Sequence, residues 1–337
     1  MAALYSFLAV AVVIAVAALA GRSSEGRFLL YTVIPYTAAA IFLGGFCYRV
    51  IAWAMSSVPF RIPTTAGQQK SLAWIRNAKL DNPFTGFAAV GRMAVEVLLF
   101  RSLFRNNRSR LEDGRLIFGE NKYLWLAALS FHWSLLVILL RHLRLLIEPV
   151  PAFVLWLEKL DGFFQVGTPA IYMSDIVVIV ALAYLLLRRF RDPLVRYVSL
   201  FTDYFALFLL LGIAITGFTM RNITRVDVVS VKQFALGIVS FHPAVPQNLG
   251  AMFLVHLALV ATLAAYFPFS KLMHMGGIFL SPTRNLANNN RAQRHINPWN
   301  YPVKTHTYAE WEEEFHDKLE AAGIPLEKEH VGTSHAD

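Results

Sequence analysis

The chain has 337 residues, of which 56% are hydrophobic and only 16% are charged, and its mean hydropathy is +0.48. This composition excludes an ordinary water-soluble domain and predicts an integral membrane protein. The net charge of +9 comes mainly from Lys and Arg in loops beside apolar segments, so it indicates membrane topology and argues against nucleic-acid binding. One cysteine, Cys47, allows neither an internal disulfide nor a four-thiolate iron–sulfur cluster, so any such cluster must belong to a partner.

Two apolar segments come first in the chain. Residues 1–20 predict a membrane helix; the small residues before Gly21 resemble a signal-peptide cleavage site, but no basic residues precede the apolar run. Residues 28–54 predict a second span with aromatic residues near its ends, as is typical of the membrane interface. Residues 1–27 are therefore expected to form an extra N-terminal helix and a short outer loop.

A long basic loop, residues 56–122, follows and is predicted to be cytoplasmic because Lys and Arg outnumber the acidic residues there. Between residues 90 and 104, apolar residues recur at helical spacing and alternate with charged ones. We expect a helix that lies on the inner membrane surface or, equally well, packs against the spans. The apolar positions are Val90, Met93, Val97, Phe100 and Phe104, and the charged ones are Arg92, Glu96, Arg101 and Arg105.

The third apolar segment, residues 123–146, contains His132 and His142. It is long enough to cross the membrane as a helix, which takes about 20 apolar residues. An imidazole at that depth has no water to bond to and indicates a functional site, with a partner on another helix. Ten residues separate the two rings by about 15 Å along the helix axis.

Two further spans follow an acidic segment, residues 147–172, which is expected on the outer side. The fourth span begins near Met173 with its apolar core at 176–187, and the fifth covers 197–220. Residues 221–250 then lie outside, although they contain several basic residues.

The sixth span, residues 251–270, contains His256, and His274 follows it. Eighteen residues of one helix complete five turns and about 27 Å, so both histidines would lie on one face. Because this span runs inward and the third runs outward, His132 and His274 share the inner depth while His142 and His256 share the outer depth. Two such pairs predict two b-type haems, since each iron takes two neutral imidazole nitrogens. One membrane histidine alone is more often a hydrogen-bonded core residue, but four at matching depths disfavour that interpretation.

The last segment, residues 276–337, is predicted to be a cytoplasmic tail. Residues 288–290 and 297–302 are typical of turns. Thr307 and Glu310 form a capping-box pattern that begins one amphipathic helix. Its apolar face is expected to dock on a partner subunit, or alternatively on this chain: Tyr308, Trp311, Phe315 and Leu319. The other histidines are expected to be solvated: His242, His295, His306, His316, His330 and His335.

The two histidine spacings carry a family resemblance. Nine residues lie between His132 and His142 and seventeen between His256 and His274, on two helices of a five-span core. This arrangement resembles the di-haem cytochrome b subunit of respiratory nitrate reductase, the NarI-like family, over about residues 28–275. The fold class expected is therefore all-α, an integral membrane bundle of about six transmembrane helices with a cytoplasmic C-terminal tail.

The extra first span, the basic loop and the tail motifs at 281–285 and 297–300 are more similar to DsrM-type subunits of the sulfite-reductase-linked DsrMKJOP complexes. The resemblance implies a bacterial or archaeal cytoplasmic-membrane subunit that takes electrons from menaquinol at the outer haem b. The inner haem b then passes them to a cytoplasmic iron–sulfur subunit of the heterodisulfide-reductase type. Further subunits, including a periplasmic cytochrome c, are implied as well. Arg141 departs from the nitrate reductase members, which have a small residue there.

The family places quinol beside the outer haem, where four charged residues become candidates. Arg141 and Arg144 are expected to contact haem propionates or quinol, or else to reach the outer headgroups. Glu148 and Asp175 are candidate proton acceptors for quinol, or else cap a helix or lie in a solvated loop. The alternative function is a transporter or structural anchor whose membrane histidines pack or relay protons.

Overall fold

The computed structural model describes residues 1–57, 67–105, 107–162, 170–246, 249–294, 296 and 305–327. The chain is mostly helical. Its described residues include five helical segments long and apolar enough to cross a membrane: Ala2–Ala20, Ser24–Ala54, Lys122–Leu146, Phe201–Asn222 and Ala251–Phe269.

The first two predicted spans are confirmed as helical segments. Helix α1 covers Ala2–Ala20, and α2 (Ser24–Phe28) continues through a π-helical turn into α3 (Ile34–Ala54). Helix α2 approaches the end of α1 closely and needs a glycine at position 26, because a Cβ at Gly26 would lie 2.0 Å from the carbonyl oxygen of Ala20.

The basic loop contains two short helices, α4 (Gly86–Leu99) and α5 (Arg101–Phe104). The single helix predicted over residues 90–104 is wrong, because Phe100 adopts the left-handed conformation with φ of 50° and separates them. The buried side of α4 is formed by Ala89, Arg92 and Glu96, whereas Phe87 and Val90 are exposed.

A β-hairpin that the sequence analysis did not anticipate follows, with β1 (Asn107–Glu112) paired antiparallel to β2 (Arg115–Glu120). Asp113 and Gly114 connect the strands, and both have positive φ. An Asp-Gly pair favours the two-residue turn that a right-handed twisted hairpin requires. The signal was therefore present in the sequence.

The described residues in the middle of the chain include α6 (Lys122–Leu146), α7 (Ala152–Asp161), α8 (Met173–Arg191), α9 (Pro193–Val198) and α10 (Phe201–Asn222). The third predicted span is confirmed as α6. The fourth, α8, has 19 residues, with Asp175 in its first turn and three arginines in its last turn. The fifth begins at Phe201 and not at Tyr197, because Tyr197 belongs to α9, which Asp192 caps by accepting a hydrogen bond from the Leu194 amide.

The C-terminal helices are α11 (Val228–Val239), α12 (Ala251–Tyr266), α13 (His274–Leu280), α14 (Pro282–Asn285) and α15 (Tyr308–Ala321). The expectation of one continuous helix from His256 to His274 is wrong. Two 3-10 turns separate α12 from α13, and Ser270 between these turns is extended, with φ of −114° and ψ of 172°. The Ser270 hydroxyl accepts a hydrogen bond from the Leu272 amide and so starts the second turn.

Helices α1, α10 and α12 pack together around one apolar core, and α6, α8 and α10 pack around a second. Ser6 in α1 is fully buried, and its hydroxyl donates to the main-chain oxygen of Phe201 at 2.8 Å. Helix α10 contributes to both cores: Leu209 lies in the first and Leu210 in the second. Helix α10 thus shares the second core with α6, which carries His132 and His142, and the first core with α12, which carries His256.

The basic loop and the beginning of the tail are held together by buried amides. The Asn288 side-chain amide donates to Asn82 Oδ1 at 2.6 Å, and its main-chain amide donates to Pro83. Gln69 donates to Asn288 and Asn290. Residues 288–290 are irregular, as expected, whereas the turn predicted at 297–302 lies outside the described residues.

The predicted tail helix is confirmed as α15, with a capping box between Thr307 and Glu310. Leu319 of its apolar face is buried, while Tyr308 and Trp311 remain exposed. His316 is buried, so the expectation that it is solvated is wrong: it lies one helical turn from buried Glu312. His242 and His306 are exposed, as expected. His295, His330 and His335 lie outside the described residues.

Candidate functional site

His132 on α6 and His274 at the start of α13 face each other. Their ring centroids are 5.9 Å apart and their ring planes are inclined by 75°. Two imidazoles on opposite sides of one metal, each at a typical bond length of about 2.0–2.1 Å, have ring centres roughly 6–6.5 Å apart. The spacing of this pair therefore fits a shared iron.

The junction of α4 and α5 adjoins the same pair, which the sequence analysis missed. The Phe100 ring meets His132 edge-on at 4.9 Å, and Phe131 meets it from α6 at 4.8 Å. The indole of Trp133 donates to the carbonyl oxygen of Leu98 at 3.0 Å. The basic loop is thus attached to α6 at the level of His132.

His142 and His256 are the second pair that the sequence predicts. His142 lies on α6 and His256 on α12, within electrostatic range of each other. On α10, Thr216 Oγ1 lies 2.9 Å from His256 Nδ1, and a Cβ added at Gly217 would lie 3.3 Å from His256 Cε1. Helix α10 therefore supports one side of this ring.

All four histidines use Nδ1 for a hydrogen bond within the protein. The acceptors for His132, His142 and His274 are the main-chain oxygens of Ala128, Ile138 and Lys271, at 2.7, 2.7 and 2.8 Å. Such a bond fixes the ring and its tautomer, and leaves Nε2 as the nitrogen for a metal. The donor set is therefore suited to two bis-histidine haems.

Arg141, next to His142, is buried in a cluster of acidic and aromatic side chains. Its Nε lies 3.1 Å from Asp161 Oδ2, and its Nη2 pairs with Asp175 Oδ1 and donates to Ser174 Oγ at 3.1 Å. Its guanidinium also lies 3.8 Å from the centre of the Tyr172 ring. Two carboxylates and a ring face thus surround this buried cation.

The same Tyr172 ring receives a second guanidinium, that of Arg221 at the end of α10, at 4.1 Å from its centre. Arg221 also donates to the carbonyl oxygen of Ala170. The sequence analysis did not single out Asp161, Ser174 or Arg221 as members of this site. Nothing in their spacing along the chain signals that they meet.

The remaining charged candidates have protein partners as well. Arg144 Nη1 donates to both carboxylate oxygens of Glu158, at 2.8 and 3.0 Å. Glu148 pairs with Lys232 of α11 and its side chain is 60% exposed. Roles for Arg141, Arg144, Glu148 and Asp175 toward haem or quinol therefore remain predictions, and Glu148 has the most exposed side chain of the four.

Residues 89–294 match the family described as nitrate reductase gamma subunit, and this range contains all four histidines. The chain belongs to this family. It is therefore a multi-pass membrane protein of the NarI-like type, as the histidine spacings predicted. The division of the chain at residues 28 and 276 remains a prediction.

Among curated proteins, the chain is 44% identical to the Hdr-like menaquinol oxidoreductase cytochrome b-like subunit of Archaeoglobus fulgidus, over 79% of this chain and 82% of that protein. It is 44% identical to the subunit of the same name from Archaeoglobus profundus, over 82% and 84% of the two chains. It is 27% identical to the respiratory nitrate reductase 1 gamma chain of Escherichia coli, over 47% of this chain and 74% of that one.

Proposed function

We propose that this chain is the cytochrome b subunit of a menaquinol oxidoreductase complex. His132 and His274 would hold one haem b, and His142 and His256 a second. The single observation that carries the proposal is the facing pair of His132 and His274, and the Nδ1 hydrogen bonds of all four histidines support it. The names of the two archaeal relatives support the choice of menaquinol as substrate.

Haem b, when bound, supplies one-electron redox chemistry that no side chain offers. The protein holds the imidazoles through their Nδ1 bonds. Phe100 and Phe131 shield His132, and the well-packed α10–α12 contact adjoins His256. These residues orient His132 and His256 and cover part of each ring.

We place quinol near the His142–His256 pair, on the outer side of the membrane. Arg141 is engaged by Asp161 and Asp175, so it would set the electrostatic potential of the site. Glu148 is exposed and paired with Lys232, which makes it the better-placed acceptor for a proton leaving toward water. Asp175 would exchange a proton only if it released Arg141.

We place the basic loop and the tail on the cytoplasmic side, where they would receive an iron–sulfur partner of the heterodisulfide-reductase type. The contacts of Asn82 and Gln69 with residues 288–290 support one continuous surface. The aromatic side of α15, on which Tyr308 and Trp311 are exposed and Phe315 is half-buried, would extend it.

The archaeal relatives carry the Hdr-like name, and the tail motifs resemble DsrM, so we assign the chain to a DsrMKJOP-like complex. Such a complex lies in a bacterial or archaeal cytoplasmic membrane. It would include further subunits, among them a periplasmic cytochrome c.

The deciding experiment is a reduced-minus-oxidised visible spectrum of the purified protein with haem quantified per chain. We expect a b-type spectrum and two haems. Reduction by a menaquinol analogue in the purified complex tests the substrate. Protein that folds in the membrane but contains no haem would overturn the proposal and favour a transporter or an anchor subunit.

A further inference from the structure

His256 differs from the other three histidines in the partner of its Nδ1 atom. His132, His142 and His274 bond to main-chain oxygens three or four residues earlier in the chain. His256 instead meets a side chain on another helix, the Thr216 hydroxyl of α10, at 2.9 Å. It is the one ligand of the four that has a side chain as an Nδ1 partner, and the main-chain oxygen of Ile213 adjoins the same contact.

The direction of this hydrogen bond follows from the other contacts of Thr216. Its hydroxyl oxygen lies 2.7 Å from the Gly212 carbonyl oxygen and 3.1 Å from that of Ile213. A threonine hydroxyl has one hydrogen, which these carbonyls take, and two acceptor lone pairs. Thr216 therefore accepts from His256, so Nδ1 carries the proton and Nε2 carries the free lone pair.

Thr216 lies in a buried and closely packed environment. The residue is buried, with 8% of its surface exposed, on a helix that packs closely against α12. Its neighbour Gly217 leaves the ring its space, since a Cβ there would lie 3.3 Å from His256 Cε1. Thr216 and Gly217 together shape the space in which the His256 ring lies.

We propose that Thr216 is a positioning residue that sets the tautomer of His256 and lowers the midpoint potential of the haem held by His142 and His256. The inference rests on the proposed function. A hydrogen bond from Nδ1–H makes Nε2 a stronger donor to iron and favours the ferric state, so the potential falls. The ligands of the other haem bond to main-chain oxygens and not to Thr216, so a change at Thr216 leaves that potential where it is.

The test is a redox titration of the purified two-haem protein with Thr216→Val, which removes the hydroxyl and keeps the branched shape. We expect the midpoint potential of one haem to rise and the other to stay at its wild-type value. The haem that shifts is the one that His142→Ala depletes. Thr216→Ser, which keeps the hydroxyl, should restore the wild-type potential.

Unchanged potentials for both haems in a Thr216→Val protein with two haems per chain would overturn the inference while leaving the proposed function intact. So would a shift confined to the His132–His274 haem. If Thr216→Val does not fold, Thr216→Ala removes the same hydroxyl without a branched side chain, and its titration decides. A wild-type protein without haem would reject the proposed function itself.

Discussion

The rings of His132 and His274 face each other at 5.9 Å, although His274 begins a separate short helix beyond two 3-10 turns. If each facing pair holds one haem, removing either member of a pair should deplete the same haem. We therefore expect a potentiometric titration to find the same remaining haem in His132→Ala and His274→Ala. The other haem should remain in His142→Ala and His256→Ala.

A suitable control is His242→Ala. His242 is exposed in a loop, and its Nδ1 also bonds to a main-chain oxygen, that of Ser240. This variant should keep both haems at wild-type potentials. Loss of the same haem from His132→Ala and His142→Ala would show that the pairing is wrong.

The closeness of His132 and His274 could be predicted from the sequence, although the helix geometry behind it could not. It follows from the depth of each histidine and the opposite directions of two spans, and the break at Ser270 after α12 changes neither by much. The capping box of α15 could also be predicted from the sequence, because it depends on Thr307 and Glu310 alone. Local sequence patterns of this kind keep their expected structure in the folded protein.

Contacts between segments far apart in the chain could not be predicted from the sequence. Arg92 and Glu96 look like the solvated side of α4 in the sequence, yet they are buried, and Arg92 donates to the main-chain oxygen of Asp81 at 2.9 Å. The asparagine contact that joins loop and tail links residues 206 positions apart. Periodicity reports which side of a helix is apolar and contains no information about partners of this kind.

Arg141 should contribute strongly to stability. Its side chain is 9% exposed and that of Asp161 is 7% exposed, so Arg141→Met would leave Asp161 and Asp175 without their cation in a buried site. Breaking a buried pair from one side costs about 3–5 kcal/mol. We expect a large fall in the thermal unfolding midpoint of the purified protein in detergent.

The matched control for that change is Arg144→Met, three residues further along α6. Its side chain is 40% exposed in the pair with Glu158, and exposed pairs contribute only about 0–1 kcal/mol. The midpoint of this variant should stay near that of the wild type. Equal losses for the two variants would contradict the buried role of Arg141.

Asp81 should make part of the stability depend on pH. The hydrogen bond from Arg101 is the main cause that holds the pKa of Asp81 below its ordinary value, and Arg105 pairs with the same carboxylate. A lowered folded-state pKa adds stability that is present above the unfolded pKa of about 3.9 and is lost as pH falls through the folded pKa. The difference in unfolding midpoint between wild type and Asp81→Asn should therefore shrink below about pH 4. A difference independent of pH would exclude this linkage.

Deleting residues 304–337 should weaken retention of the iron–sulfur partner and leave the haem content at two per chain. The deletion removes α15 with its exposed aromatic side but keeps the contact between Asn82 and Asn288. Co-purification of the partner over a series of salt concentrations measures the effect. Asn82→Ala, which disturbs the loop–tail contact itself, should weaken retention too. Full retention by both variants at raised salt would mean that the partner docks elsewhere.

The last prediction separates the two haem pairs by their access to quinol. Arg141, Asp175 and Glu148 all lie toward the end of α6 that carries His142, so a quinol bound there gives its electrons first to the haem of the His142–His256 pair. With that haem removed by His256→Ala, a menaquinol analogue should reduce the remaining haem far more slowly than in the wild type. A chemical reductant such as dithionite should still reduce it fully, which shows that the remaining site is intact. Reduction by the analogue at the native rate would place the quinol site beside His132 and His274.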